Sequence, residues 1–289
     1  MYPGAHRKTD KYEKWDKQSG SPGATFSTSD HDLHRRRRAA LNPFFAKRSV
    51  VQLETRISDK VTKLCDRLWE EWQKDRVVDL HVPLTALTTD IITYFCYGYS
   101  YDYLNHDDFN KEWEVTMRKM FDTVALRRHF PWLLSLVSLP FQFINKEPPI
   151  MKHFITAKEG IKKEVGRIIK VEPGTKSKEK ESIFTTLRDS DDLPTEEKSV
   201  ERMTDEAFIL IAAGTETTAK TLTETMFHIL NTPGVLQKLT EELDAEITSR
   251  DDVPTWTRLE KLPYLVISFD KLNKSLFTDS NRAQSSPRA

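Results

Sequence analysis

The stretch Phe208-Ile-Leu-Ile-Ala-Ala-Gly-Thr-Glu-Thr-Thr218 limits the folds open to this chain more than any other. Phe208 to Gly214 is an unbroken apolar run, and a polar cluster follows it directly. Upstream, Thr204-Asp205-Glu206 offers a capping hydroxyl and acids for a first turn, which predicts a helix start. Downstream, Leu222, Met226, Ile229 and Leu230 keep a helical period until Asn231-Thr232-Pro233 stops it. The predicted helix has about 27 residues and spans roughly 40 Å at 1.5 Å per residue. A helix that is apolar on every face belongs inside a large protein. The apolar part is too short for a membrane span, which needs about 20 such residues.

The polar cluster carries the chemistry. A glycine inside a helix costs roughly 1 kcal/mol relative to alanine, so Gly214 is explained where something approaches the backbone closely. Thr217 and Thr218 are placed to bond back to carbonyls one turn earlier, which bends and opens a helix. Glu216, at the end of a buried run, requires a partner or water. A small residue, an acid and hydroxyls at one bend suit proton delivery beside a bulky flat ligand. A plainer reading stands next to it, with Gly214 serving helix packing and Glu216 facing solvent.

The chain has 289 residues, room for one large domain or two small ones. Lys and Arg number 44, as do Asp and Glu, so bulk charge argues against a general nucleic-acid binder. Hydrophobic residues make up 38% and charged residues 30%, a thin supply for a self-sufficient core. The two cysteines, Cys65 and Cys96, exclude a disulfide scaffold and lack metal-site spacing.

Residues 1–29 are polar, show no period and read as a loop or disorder. Asp30 caps a predicted helix from His31 to about Leu41, ended by Asn42-Pro43. Arg35 to Arg38 within it is a solvated face, a localisation-like patch or a weak nucleic-acid contact. Ser49 opens an amphipathic helix striped by Val50, Leu53, Ile57, Val61, Leu64, Leu68 and Trp72, with Cys65 beside the stripe as a core thiol. Val77 to Leu80 reads as a brief extended piece. A helix from Pro83 runs to a stop at Gly98, with Cys96 among aromatic packing. Further helices are expected at about 107–128, with Trp113, Met117, Met120, Phe121 and Val124 inward, at 151–169, and at 233–247. A Pro-punctuated apolar loop lies at 130–143. Residues 170–199 read as a charged surface connection around a short helix near 183–187.

Ala213-Gly214-Thr215-Glu216-Thr217-Thr218 resembles the Ala/Gly-Gly-x-Asp/Glu-Thr-Thr/Ser motif of the cytochrome P-450 family, the heme-thiolate monooxygenases. Other segments resemble the family in its own order. His34-Arg-Arg-Arg-Arg38 with Leu41-Asn-Pro-Phe-Phe45 is similar to helix C, above all in fungal members. Asp90-Ile91-Ile92 through Phe95, Gly98 and Tyr101 is similar to helix E, Pro233 to Ile247 to helix J, and Leu259 to Leu265 to the lead-in to helix K. The resemblance implies a mainly α chain, a partial cytochrome P-450 fold built around a long central helix. Residues 30–265 would form that partial domain. It implies heme as cofactor, an NADPH-dependent reductase and an apolar small-molecule substrate as partners, and the endoplasmic reticulum membrane as location of the complete member. Glu216 and Thr217 would serve oxygen activation and proton delivery. His34 and Arg38 would grip the heme propionates, and Ala213 and Gly214 would lie against the heme. The loop at 130–143 would line substrate access and touch the bilayer peripherally.

Part of the family pattern is missing. Neither cysteine has the Phe-x-x-Gly context of the iron ligand, so the heme-ligand loop is lacking and no metal ligand is assigned. The sole Glu-x-x-Arg, Glu164 to Arg167, has the wrong neighbours. The pattern breaks at Val266, and 266–289 reads as an aberrant, disordered tail. Valine codons begin with GT, as most introns do, so a retained intron or gene-model error is expected there. No anchor precedes the fold, which leaves this chain cytoplasmic or unassigned and inactive on its own. The alternative is a non-catalytic helical interaction protein or pseudogene product, binding through the face from Phe208 to Ala213.

Overall fold

The computed structural model describes residues 8–12, 19–130, 149–171, 182–249 and 254–268. Their helices, in chain order, are α1 (His31–Leu41), α2 (Lys47–Val51), α3 (Glu54–Gln73), α4 (His81–Tyr97), α5 (Lys111–Asp122), α6 (Val124–His129), α7 (Pro149–Ile169), α8 (Ile183–Asp189), α9 (Val200–Asn231), α10 (Pro233–Glu246) and α11 (Trp256–Leu259). Residues 263–268 are also helical, and no strand occurs among the described residues. The fold is mainly α and built around the long central helix α9, as the sequence predicts.

Helix α9 has 32 residues and is therefore about 48 Å long. It starts at Val200, a full turn before the Thr204 predicted from sequence. Ser199 is the cap, its side chain accepting from the Arg202 N–H at 3.4 Å. Thr204 instead lies inside the helix and donates to the Val200 carbonyl. In the added first turn Arg202 is buried by pairing with Glu197 and Glu206.

Phe208, Ile211, Met203 and Ala207 of α9 are almost wholly buried. They pack against Ile161 and Val165 of α7, Phe184 of α8, and Met117 of α5 in one core cluster. Phe208 meets Phe154 edge-on at 5.1 Å between centroids, a favoured aromatic geometry. A second cluster joins α3 and α4 through Leu64, Val82 and Leu87, with Ala219 of α9 at its edge.

Helices α4 and α9 pack closely at Gly214. A Cβ on Gly214 would lie 2.8 Å from Ile92 Cγ1 and 3.2 Å from Ile92 Cβ. Glycine is thus required where a branched side chain of the neighbouring helix presses on the backbone. Beside it, Thr88 Oγ1 shares its proton between the Leu84 and Thr215 carbonyls, at 3.0 and 3.1 Å. Thr89 Oγ1 lies 3.2 Å from Thr215 Oγ1 and accepts from Trp113 Nε1 at 3.0 Å.

Residues 19–28, read from composition as loop or disorder, are a pinned loop. Ala24, Thr25, Ser27 and Thr28 are buried. The Gly23 N–H donates to Asp205 at 2.8 Å, and the Thr25 N–H and hydroxyl donate to Glu206 at 3.0 and 2.7 Å. Arg37 closes the loop onto α9. Its guanidinium forks onto Glu197 at 2.7 and 2.9 Å and reaches Thr28 Oγ1 at 2.7 Å.

Other expectations are corrected. Cys65 is exposed rather than a core thiol. It lines a groove of about 550 Å³ with Val61, Ile247 and Trp256. The helix expected from Ser49 is divided into α2 and α3, and that expected at 107–128 into α5 and α6. Residues 77–80 form no strand pairing, and Val77 is fully exposed. Within the span read as a surface connection, Ile183, Phe184 and Leu187 are buried, because the Ser182–Thr185 capping box starts a helix that docks on α7 and α4. Beyond Leu265 the helix continues to 268, with the Tyr264 and Leu265 N–H groups donating to Glu242 at 2.8 Å each. The apolar loop at 131–143 and the tail from 269 lie outside the described residues.

Two stability predictions follow from these contacts. In an open helix Gly214→Ala would gain about 1 kcal/mol. Here the added methyl collides with Ile92, and overpacking costs about 1–3 kcal/mol, so urea unfolding should show a net loss that Ile92→Ala partly restores. The second concerns Glu197, whose carboxyl is held below its usual range by the hydrogen bond from Arg37, against the opposing effect of burial. A depressed folded-state value adds stability above the unfolded carboxylate range and loses it as pH falls through the folded value. Glu197→Gln should therefore be less stable than the parent at neutral pH, and the gap should close in acid melts.

Candidate active site

The polar cluster of α9 is divided between faces by the helical turn. Ala213 and Thr217, four residues apart, share an exposed face. Gly214 is half-buried against Ile92, and Thr215 is fully buried against α4. Thr217 donates its hydroxyl to the Ala213 carbonyl at 2.6 Å. Helical structure nevertheless runs unbroken from 200 to 231, so the expected opening of the helix does not occur. The Thr217 oxygen keeps its acceptor lone pairs on the exposed face.

Glu216 does not face solvent. It is 6% exposed, and its Oε2 atom is buried with no hydrogen-bond partner. Its Oε1 lies 3.5 Å from Nε2 of His81, the first residue of α4. Glu114 of α5 faces the same nitrogen at 3.8 Å. Burial raises the Glu216 carboxyl above its usual range. His81 opposes the rise, and the Glu114 charge adds to it. The result is an acid disposed to hold a proton, one residue from an exposed hydroxyl.

His34 and Arg38 share one face of α1, His34 half-buried and Arg38 exposed. Burial first, and then the cations Lys11 and Arg38, hold the His34 imidazole below its usual range. It is therefore a neutral donor with one ring N–H at pH 7. Arg38 makes no ion pair with a carboxylate among the described residues. A neutral donor beside an uncompensated guanidinium suits a carboxylate ligand. Helix α1 is tied to α9 through Arg37, Glu197 and Arg202.

The cysteines are placed elsewhere. Cys96 is wholly buried, and burial pushes its thiol far above the usual range. Cys65 lies on α3 in the groove described above. Glu164 and Arg167 form a local pair at 3.4 Å on α7, and the Tyr99 hydroxyl donates to Glu164. Among the described residues no helix is long and apolar enough to cross a membrane.

His81, Glu114 and Arg37 escaped sequence reasoning. His81 and Glu114 sit in helices whose local pattern gives no reason to single them out, and only packing brings them to Glu216. Arg37 was hidden inside a run of four arginines. A three-or-four-residue step from Leu33 and Leu41 would have placed it on the inward face.

Residues 4–268 match the family model described as cytochrome P-450. Conidiogenone synthase of Penicillium rubens is 35% identical over 92% of this chain and 52% of its own length. The cytochrome P-450 monooxygenase TRI4 of Trichoderma arundinaceum is 37% identical over 92% and 51%. Tryptophan 6-hydroxylase fscE of Fusarium equiseti is 35% identical over 92% and 52%. The chain thus spans about half the length of the curated relatives it matches. A crystal structure of a cytochrome P-450 superposes with a TM-score of 0.64 at 19% identity, covering 92% of this chain and 58% of the other, which shows the fold. Sequence, helix order and family match agree, and the chain belongs to the cytochrome P-450 family.

Proposed function

We propose that this chain supplies the proton-delivery side and the carboxylate-binding edge of a heme-dependent monooxygenase acting on an apolar small molecule. The observation that carries the reading is the Thr217 hydroxyl, tied to the Ala213 carbonyl directly beside the buried Glu216, whose carboxyl burial raises above its usual range. When bound, heme supplies oxygen activation, with electrons from NADPH delivered through a reductase. The similarity to fungal monooxygenases supports a role in fungal secondary metabolism.

The chain's own groups divide the work. Ala213 leaves a flat surface on the exposed face of α9. Gly214 seats that face by admitting Ile92 behind it. Thr217 accepts a hydrogen bond from a water on that surface while its own proton stays on Ala213. Glu216, whose carboxyl burial raises above its usual range, would release a proton, which is general acid behaviour. His34 and Arg38 would hold the two carboxylates of the porphyrin edge by charge-assisted bonds. Neither Cys65 nor Cys96 is suited to bind the iron, because one is sealed in the core and the other opens onto the α3 groove. On this reading the residues present fit the heme edge and one face, while turnover belongs to the whole protein at the endoplasmic reticulum membrane.

Titrating the purified chain with hemin and following its visible spectrum tests the assignment. Saturable binding is expected, with a carbonyl spectrum that lacks thiolate character. Arg38→Ala should weaken it roughly tenfold, the equivalent of one charge-assisted hydrogen bond of about 1.5 kcal/mol. Absence of saturable binding, or an Arg38→Ala curve that overlays the parent, would reject the assigned edge.

A further inference from the structure

A buried set of polar groups lies where α4 and α5 meet α9. The side chains of His81, Glu114 and Glu216 are 15%, 4% and 8% exposed. His81 Nδ1 lies 3.2 Å from Thr223 Oγ1 on α9. Its Nε2 faces the Glu216 and Glu114 carboxylates at 3.5 and 3.8 Å. Arg118 reaches the same Glu114 oxygen at 3.0 Å from the half-exposed side of α5. Lys220 acts on Glu216 along α9. Asp79 accepts the His81 backbone N–H and so does not engage the ring.

Thr223 fixes where one proton sits. Its hydroxyl donates to the Ala219 carbonyl at 2.8 Å. Reversing that hydrogen would set an oxygen lone pair against a carbonyl oxygen at the same distance. The hydroxyl therefore accepts from His81, and Nδ1 carries a hydrogen. That leaves Nε2 as the atom facing two carboxylates. A bare Nε2 lone pair there would repel both, and Arg118 compensates Glu114 alone. The arrangement is attractive only with one proton more, on Nε2 or on a carboxyl pointing at it.

We propose that His81, Glu216 and Glu114 hold one shared proton, and that His81 is the positioning residue that reloads Glu216 from the solvent side of α5. In the reloading step the Nε2–H bond breaks as an O–H bond forms on Glu216 Oε1. His81 then regains a proton from the Glu114 side, where Arg118 meets solvent, and no electrons change hands. The reloading role rests on the reading of Glu216 as proton donor. The shared proton stands on this geometry alone.

Nitrogen NMR of the full chain, with its histidines isotopically labelled, tests the proposal without heme. The His81 signals are those that vanish in His81→Gln. Nδ1 is expected to carry the proton throughout the neutral range. Glu216→Gln removes one of the two facing carboxylates and should move the Nε2 resonance away from its parent position. Thr223→Val should release the Nδ1 proton to exchange and leave both carboxylates in place. A His81 found as the Nε2–H tautomer would overturn the proposal, and that result needs no variant to fold. A Nε2 signal indifferent to both Glu216→Gln and Glu114→Gln would overturn it as well. Loss of hemin binding with an intact Nε2 response would reject the heme reading and leave the proton cluster standing.

Discussion

The close contact of Gly214 with Ile92 sets the geometry of everything around it. A missing side chain on α9 lets a branched residue of α4 press against the backbone. At that separation Thr88 and Thr89 reach Thr215, and Trp113 of α5 reaches Thr89. Three helices are thereby locked in rotation as well as in distance. Their rotation decides that Ala213 and Thr217 face outward and that Glu216 faces the start of α4. The arrangement of the proposed site is a consequence of a packing constraint one residue away from it.

Charge burial provides the second organising principle. Arg37, Glu197, Arg202 and Glu206 are all nearly excluded from solvent, yet each has an opposite charge within 3.2 Å. Burying such groups singly would be prohibitive, and breaking one pair leaves the other charge exposed to the same penalty. The set fixes residues 23–28 onto α9 and orients α1, which presents His34 and Arg38. Glu216 follows the opposite logic. It is buried with an imidazole and another carboxylate and lacks a partner for one oxygen. A carboxyl of that kind is a poor structural anchor, which accords with the proton-delivery role proposed for it.

Much of the architecture was legible in the residues. The apolar run with its following period specified the long helix, and Gly98 in the left-handed conformation, φ 80°, closes α4 where a glycine stop was expected. Boundaries were less legible where buried polar residues disguise a core face. The sequence places the helix start at Thr204, a turn late, because Arg202 is buried only through its pairing with Glu197 and Glu206. Ile183 to Leu187 reads as a helix within a surface connection until α7 and α4 cover it. Cys65 erred in the other direction, since a stripe neighbour is exposed when the facing element leaves a groove.

The sequence by itself determined the family motif, the helical periods and the placement of Ala213, Gly214, Glu216 and Thr217 on successive faces of one helix. A helix turns by a fixed angle per residue, so local order fixes such relations. Only the tertiary structure decided that Gly214 receives Ile92, that Arg37 rather than its neighbours ties α1 to α9, and that His81 and Glu114 enclose Glu216. These are contacts between residues far apart in the chain. They depend on how helices pack, and no local pattern encodes which side chains that packing brings within a few ångströms of each other.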